Sequence, residues 1–167
     1  MKNKFKNYFY YCLGVIFIFL NKIRYSIEGY KTPRPFSIKN YKICIDYDFG
    51  VVDGWLNELH DLIDSTFSIK GKNILELGPG ADLGVGLILL AKGARKYNAI
   101  DINPLVYKVP KGFYDSLLDE ITKRIPDANI NDLKYQLQLF YEGKNDRLNY
   151  IYDKNFSISR LKSEMID

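Results

Sequence analysis

One short stretch of this chain has the residue types and spacing to do chemistry: Glu76-Leu77-Gly78-Pro79-Gly80-Ala81-Asp82, inside "NILELGPGADLGVG" (73–86). An apolar strand pattern runs into two glycines one residue apart, and an apolar helix pattern follows. Glycine lets a backbone turn tightly and lets a ligand approach the main chain, because no Cβ stands in the way. Asp82 is placed to cap the free N–H groups of the following helix. Asp101, in "YNAIDIN", ends the next apolar segment 21 residues after Gly80. An acidic side chain there can accept hydrogen bonds from a ribose diol.

The residues favour a cationic cofactor over a phosphorylated one. The dinucleotide fingerprint G-x-G-x-x-G needs glycine at position 83, which is Leu83. A pyrophosphate at this turn would meet Glu76 and Asp82, and two like charges about 5 Å apart at an effective dielectric near 20 repel by roughly 3 kcal/mol. S-adenosylmethionine instead brings an ammonium and a sulfonium, which Glu76 attracts. A nicotinamide-dependent enzyme on the same architecture, using NAD(P), is the alternative.

"ILELGPGADLG" followed by "AIDINP" resembles motif I and the acidic motif after it in class I S-adenosylmethionine-dependent methyltransferases. The resemblance covers about residues 53–167, roughly the first half of that catalytic domain, whose sheet is Rossmann-like. It implies that Glu76, Gly78, Pro79 and Gly80 contact the methionine part of the cofactor. It further implies that Asp101 holds the ribose, that Ile102 lies against the adenine, and that Asp153 or Asn155 in "YDKNFSI" reaches the adenine amino group. Two departures stand out. Asp82 replaces a third glycine, and about 45 residues separate the second and third strands. The terminal Met165-Ile166-Asp167 matches only the approach to a fourth strand, so the resemblance implies a chain that stops before the acceptor half. That pattern also motivates a third reading, a catalytically silent, membrane-tethered remnant or interaction module.

The elements that must position these residues follow from periodicity. "DGWLNELHDLIDSTF" has apolar residues at helical spacing, with Asp53 as its N-cap. "KNILELG", "KYNAIDIN" and "LNYIYD" read as strands. "DLGVGLILLAKGA", "FYDSLLDEITKRI" and "NDLKYQLQLFYE" read as helices, the last two separated by Pro126. Strands alternating with helices imply right-handed crossovers and a parallel sheet. The expected fold is α/β: a Rossmann-like parallel sheet with flanking helices, incomplete at about three strands, preceded by an N-terminal apolar helix. The expected layout is an apolar helix or anchor over 1–24, a connector over 25–52 containing Pro33 and Pro35, and the cofactor-binding domain over 53–167.

Composition narrows the partners. Of 167 residues, 47% are hydrophobic, enough to fill a core. The net charge of +4 is uneven: residues 1–35 carry seven Lys or Arg against Glu28 alone, and the remainder is slightly acidic. No basic stripe with interleaved aromatics marks a helix of the domain, so nucleic acid is not expected. Cys12 and Cys44 have no metal spacing, no metal is expected, and a reducing, cytoplasmic location follows. "YFYYCLGVIFIFL" (Tyr8–Leu20) is a 13-residue apolar and aromatic run flanked by Lys2, Lys4 and Lys6 before it and Lys22 and Arg24 after it. It reads as an uncleaved membrane anchor, an interfacial helix, or a helix packed on the domain. Of the remaining candidates, His60 reads as a surface or packed histidine rather than a base. Trp55 reads chiefly as core packing, with a cover over the cofactor as its other role. Lys92, Arg95 and Lys96 read as a solvated cap on the first helix after the turn.

Overall fold

The computed structural model describes residues 2–28, 40–63 and 66–155. The chain divides into two compact units, residues 1–32 and 33–167. The fourth-strand expectation at Met165-Ile166-Asp167 and the prolines Pro33 and Pro35 lie outside the described residues.

The first unit carries α1 (Lys2–Glu28). The apolar run Tyr8–Leu20 lies on this helix, which continues past residue 24. Large side chains along the run, from Tyr8 and Tyr11 to Phe17 and Ile18, are exposed. No helix among the described residues is long and apolar enough to cross a membrane. Thirteen residues at 1.5 Å rise cover roughly 20 Å, against a hydrocarbon core of ~30 Å.

The second unit is α/β, with three parallel strands flanked by helices. After α2 (Tyr41–Leu62) come β1 (Asn73–Leu77), α3 (Gly84–Ala91), β2 (Lys96–Asp101), a single 3-10 turn (Leu105–Lys108), α4 (Lys111–Arg124), α5 (Ile130–Tyr141) and β3 (Leu148–Tyr152). The strands lie side by side in the order β1-β2-β3. Leu77 pairs with Ile100, and Asp101 with Tyr152, so all three carboxyl ends emerge at one edge of the sheet. Every residue of α3 from Gly84 to Leu90 is buried, and the helix packs against α2, α4, α5, β2 and β3. That central position explains its continuous apolar sequence, since a helix buried all round has no polar stripe. β1 pairs with β2 alone among the described residues, and its Leu75 and Leu77 are exposed.

The connector expectation is corrected over residues 41–52, which form the first half of α2. Asn40 caps that helix, its Oδ1 accepting from the Lys42 N–H at 3.1 Å. Asp53 is not a cap: it lies within the helix and pairs with Lys92 across to α3 at 3.1 Å. Lys92 is thus paired as well as close to the end of α3. The physical reason is the spacing of Ile45, Phe49 and Val52, all buried against the core. Gly50 and Gly54 stand on open faces, with nothing within 4 Å of where a Cβ would be. Each costs the helix up to about 1 kcal/mol of propensity, which burial of three large side chains at about 1.5–3 kcal/mol each outweighs.

Candidate functional site

The site grows from the end of β1. The Gly78 N–H donates to the Ile100 carbonyl at 2.8 Å, extending the β1–β2 ladder by one bond. The chain then leaves the sheet through Gly78 and Gly80, whose φ angles of +74° and +86° lie in the left-handed region. Open space stands where side chains on these two glycines would be, so the main chain is bare toward the cavity. At the foot of α3, Asp82 Oδ1 accepts from the Gly84 N–H at 2.8 Å, and the Leu83 N–H donates to the Tyr114 hydroxyl at 3.2 Å. Asp82 therefore does serve the helix start, through the first helical residue.

Two glycines inside α3 have a different task. A Cβ on Gly84 would lie 2.0 Å from Asp48 Oδ2 and 3.0 Å from Asp82 Oδ1. A Cβ on Gly86 would lie 2.4 Å from the Tyr97 ring. Gly84 thus makes room for a carboxyl group from α2, and Gly86 for an aromatic ring from β2. The Tyr97 hydroxyl in turn donates to Glu76 Oε2 at 2.5 Å. Oxygens of Asp48 and Asp82 that lie 2.0 and 3.0 Å from one point are no more than about 5 Å apart.

Three carboxyl groups, Asp48, Glu76 and Asp82, therefore converge beneath a cavity of about 520 Å³ between α2 and the glycine turn. Trp55, Tyr47 and Cys44 form part of its α2 wall, and among the described residues no Lys, Arg or His lines it. Burial, then the charges of Asp82 and Glu76, push the Asp48 carboxyl up to about 8. Asp48 Oδ2 is buried with no hydrogen-bond partner among the described residues. Burial also raises Glu76, against the opposing pull of the Tyr97 hydroxyl, and raises Asp82, against the Gly84 N–H. The Cys44 thiol is pushed up by burial and by the same two aspartates. Each carboxyl is thus harder to ionise than in water. A cation entering this half-enclosed space would favour the ionised forms, because its attraction to them is stronger there than in water.

Of the residues singled out from the sequence, Glu76, Gly78, Pro79 and Gly80 line this cavity together. Asp101, Ile102, Asp153 and Asn155 do not. They follow one another along the carboxyl edge of β2 and β3, next to the turn. Asp101 is buried, its Oδ1 accepting from the Asn103 N–H at 2.8 Å, and its carbonyl accepts from the Asp153 N–H at 2.9 Å. Asp153 is buried in the same manner, its Oδ1 accepting from the Asn155 N–H at 2.9 Å. Both acids thus brace their own loops. Ile102 is exposed, as is Asn155.

Asp48 has no place in the motif. The helical spacing of Ile45, Phe49 and Val52 carries the signal that would have placed it, one residue before Phe49. Trp55 is corrected from core packing: it is 42% exposed and lines the cavity. His60 stands apart from the cavity, its Nε2 donating to the Phe67 carbonyl at 2.9 Å. A smaller cavity between α4 and α5, about 400 Å³, mixes Lys111 and Lys134 with Asp115 and Glu142 and gathers no single charge. Among the described residues no cluster of His, Cys, Asp and Glu is arranged to hold a metal ion. No protein-family model, no curated protein and no solved structure matches this chain.

Proposed function

We propose that this chain binds S-adenosylmethionine on the Gly78–Gly80 turn and serves methyl transfer as the cofactor-binding part of a class I methyltransferase. One observation carries the reading: among the described residues, three carboxyl groups and no basic side chain line the cavity beside the turn. A dinucleotide's pyrophosphate is repelled there, and a ligand with an ammonium and a sulfonium is attracted.

The bare main chain at Gly78 and Gly80 fits close approach by the methionine part of the cofactor. Glu76, fixed by Tyr97, and Asp82 supply the negative field for its charges, and Asp48, protonated below about pH 8, adds to that field when it ionises. Trp55 and Tyr47 offer aromatic walls, favourable to an organic cation. Asp101 keeps a second carboxylate oxygen for a ribose diol while Oδ1 holds the Asn103 turn, and exposed Ile102 offers an apolar seat for a base. Asp153 and Asn155 stand one strand further along the same edge, the side on which the adenine amino group would fall. A Rossmann-like sheet with its ligand at the carboxyl ends of the strands is the architecture this reading requires. The cofactor supplies a methyl group already activated on a sulfonium, so the protein's part is binding, orientation and electrostatics.

Calorimetric titration with S-adenosylhomocysteine and, separately, with NAD tests the reading. S-adenosylhomocysteine is expected to bind and NAD to give no heat above dilution. Glu76→Gln is expected to weaken S-adenosylhomocysteine binding about tenfold or more, as loss of one charge-assisted contact does. NAD binding without S-adenosylhomocysteine binding would move the chain to the nicotinamide reading. Silence toward both would overturn cofactor binding altogether.

A further inference from the structure

We propose that α1 is a membrane-surface element, docking the chain onto an anionic lipid bilayer by sinking Tyr8–Leu20 into one leaflet. The inference is independent of the cofactor reading and starts from the first unit alone.

The apolar surface of α1 is not a stripe. Val15, Ile16, Phe17, Ile18, Phe19 and Leu20 follow one another along the helix and are each between 48% and 71% exposed. At 100° per residue, six consecutive positions point to every side of the helix. A groove on a folded partner covers one side of such a helix and leaves the others in water. A lipid medium covers all sides at once, which is the environment that fits a helix apolar all round.

The charges fit the same occupant. Residues 2–27 contain no Asp or Glu, and basic residues bracket the run at both ends. Lys22 and Arg24 are exposed on the last turns of the helix. Such brackets are attracted to acidic headgroups, and long basic side chains keep their charge in water while their stems follow the apolar segment inward. The order of side chains agrees: Tyr8, Tyr10 and Tyr11 come first, and the Val, Ile, Phe and Leu residues follow. Tyrosine settles at headgroup depth, with its hydroxyl wet and its ring buried. The length sets the mode of contact. Roughly 20 Å of apolar helix is too short for a ~30 Å core but ample for a single leaflet entered at a shallow angle, with the basic ends reaching back to the headgroups.

The test is flotation of the full chain with lipid vesicles. One set is pure phosphatidylcholine, and in the other a third of the lipid is phosphatidylglycerol. The chain is expected to float with the anionic vesicles, and raised salt is expected to weaken that binding by screening. Lys22→Glu with Arg24→Glu is expected to lower affinity for anionic vesicles by at least ~25-fold, at about fivefold per basic side chain, while leaving any binding to neutral vesicles little changed. Ile16→Glu with Phe19→Glu is expected to abolish flotation with both. A helical circular-dichroism signal equal to wild type shows that the variants keep α1. Absence of wild-type flotation, or equal flotation by the Ile16→Glu/Phe19→Glu variant, would overturn the proposal. So would a chain that ignores vesicles and instead self-associates through the run, seen as a large species in lipid-free buffer that this double variant dissolves.

Discussion

Asp48 on α2 and Gly84 on α3 meet so closely that a single methyl group on Gly84 would stand 2.0 Å from the Asp48 carboxylate. A residue outside the glycine motif and a residue just beyond it are thus one packing unit. The Gly84→Ala variant is expected to lose about 1–3 kcal/mol by overpacking, seen as a fall of very roughly 2–12 °C in thermal midpoint for a chain of this size. Pairing it with Asp48→Ala is expected to recover much of that loss, because the two sites are coupled. A Gly84→Ala protein as stable as wild type would sink the packing account.

The buried carboxyl groups set the direction of the pH dependence. Asp48 titrates near 8 in the fold, raised by burial and by Asp82 and Glu76, and an aspartate in the unfolded chain ionises near 4. Between about pH 4 and pH 8 the folded state therefore holds a proton that the unfolded state has lost. Stability from this group is complete below about pH 4 and declines as pH rises through the window, at no more than about 1.4 kcal/mol per pH unit. Glu76 and Asp82 are raised in the same direction and add to the trend. Urea midpoints measured from pH 5 to pH 9 are expected to fall with pH in wild type and to fall much less in Asp48→Asn. A midpoint that climbs over that range in wild type would contradict the arrangement.

Gly80 separates folding from binding. Its φ of +86° makes any side chain cost roughly 1–2 kcal/mol of backbone strain, yet nothing crowds the added Cβ itself. Gly80→Ala is expected to remain folded with that modest loss while S-adenosylhomocysteine affinity falls about tenfold or more, since the methyl group projects where the cofactor must approach. Denaturation and calorimetry on one preparation compare the two losses, and an unchanged affinity would remove the turn from the binding site.

At the carboxyl edge of β2, Asp101→Asn keeps a side-chain oxygen for the Asn103 N–H and gives up the charge that a ribose diol would use. Affinity for S-adenosylhomocysteine is expected to drop about fivefold to thirtyfold, the span of one to two kcal/mol, with thermal stability nearly constant. Equal affinity would withdraw the ribose role and leave Asp101 a loop brace only.

Local signals made the sheet and the turn readable in advance. β1, α3 and β2 are short apolar runs separated by glycines, and two left-handed glycines in three residues allow few other conformations. α2 was harder. Its apolar residues face the core at helical spacing, but Gly50, Gly54 and four aspartates interrupt the run, and two prolines upstream suggest irregular chain. Packing against α3 and α4 decides that helix, and packing between distant segments leaves little trace in a window of sequence. The same holds for Asp48 and for the role of Gly84. Each makes sense only once the other is in place. Trp55 shows the opposite error, since an isolated tryptophan on a helix suggests core until the cavity beside it is known.

The two cut-outs in α3 have a consequence for inheritance. Gly84 accommodates the carboxyl group of residue 48, and Gly86 accommodates the ring of residue 97. Positions 48 with 84, and 97 with 86, are lock-and-key pairs in which bulk on one side requires its absence on the other. In any descendant of this chain that keeps the arrangement, a side chain gained at 84 or 86 must be matched by a smaller residue at its partner. The members of each pair are therefore expected to change together, since bulk gained on one side alone crowds the wall of the acidic cavity.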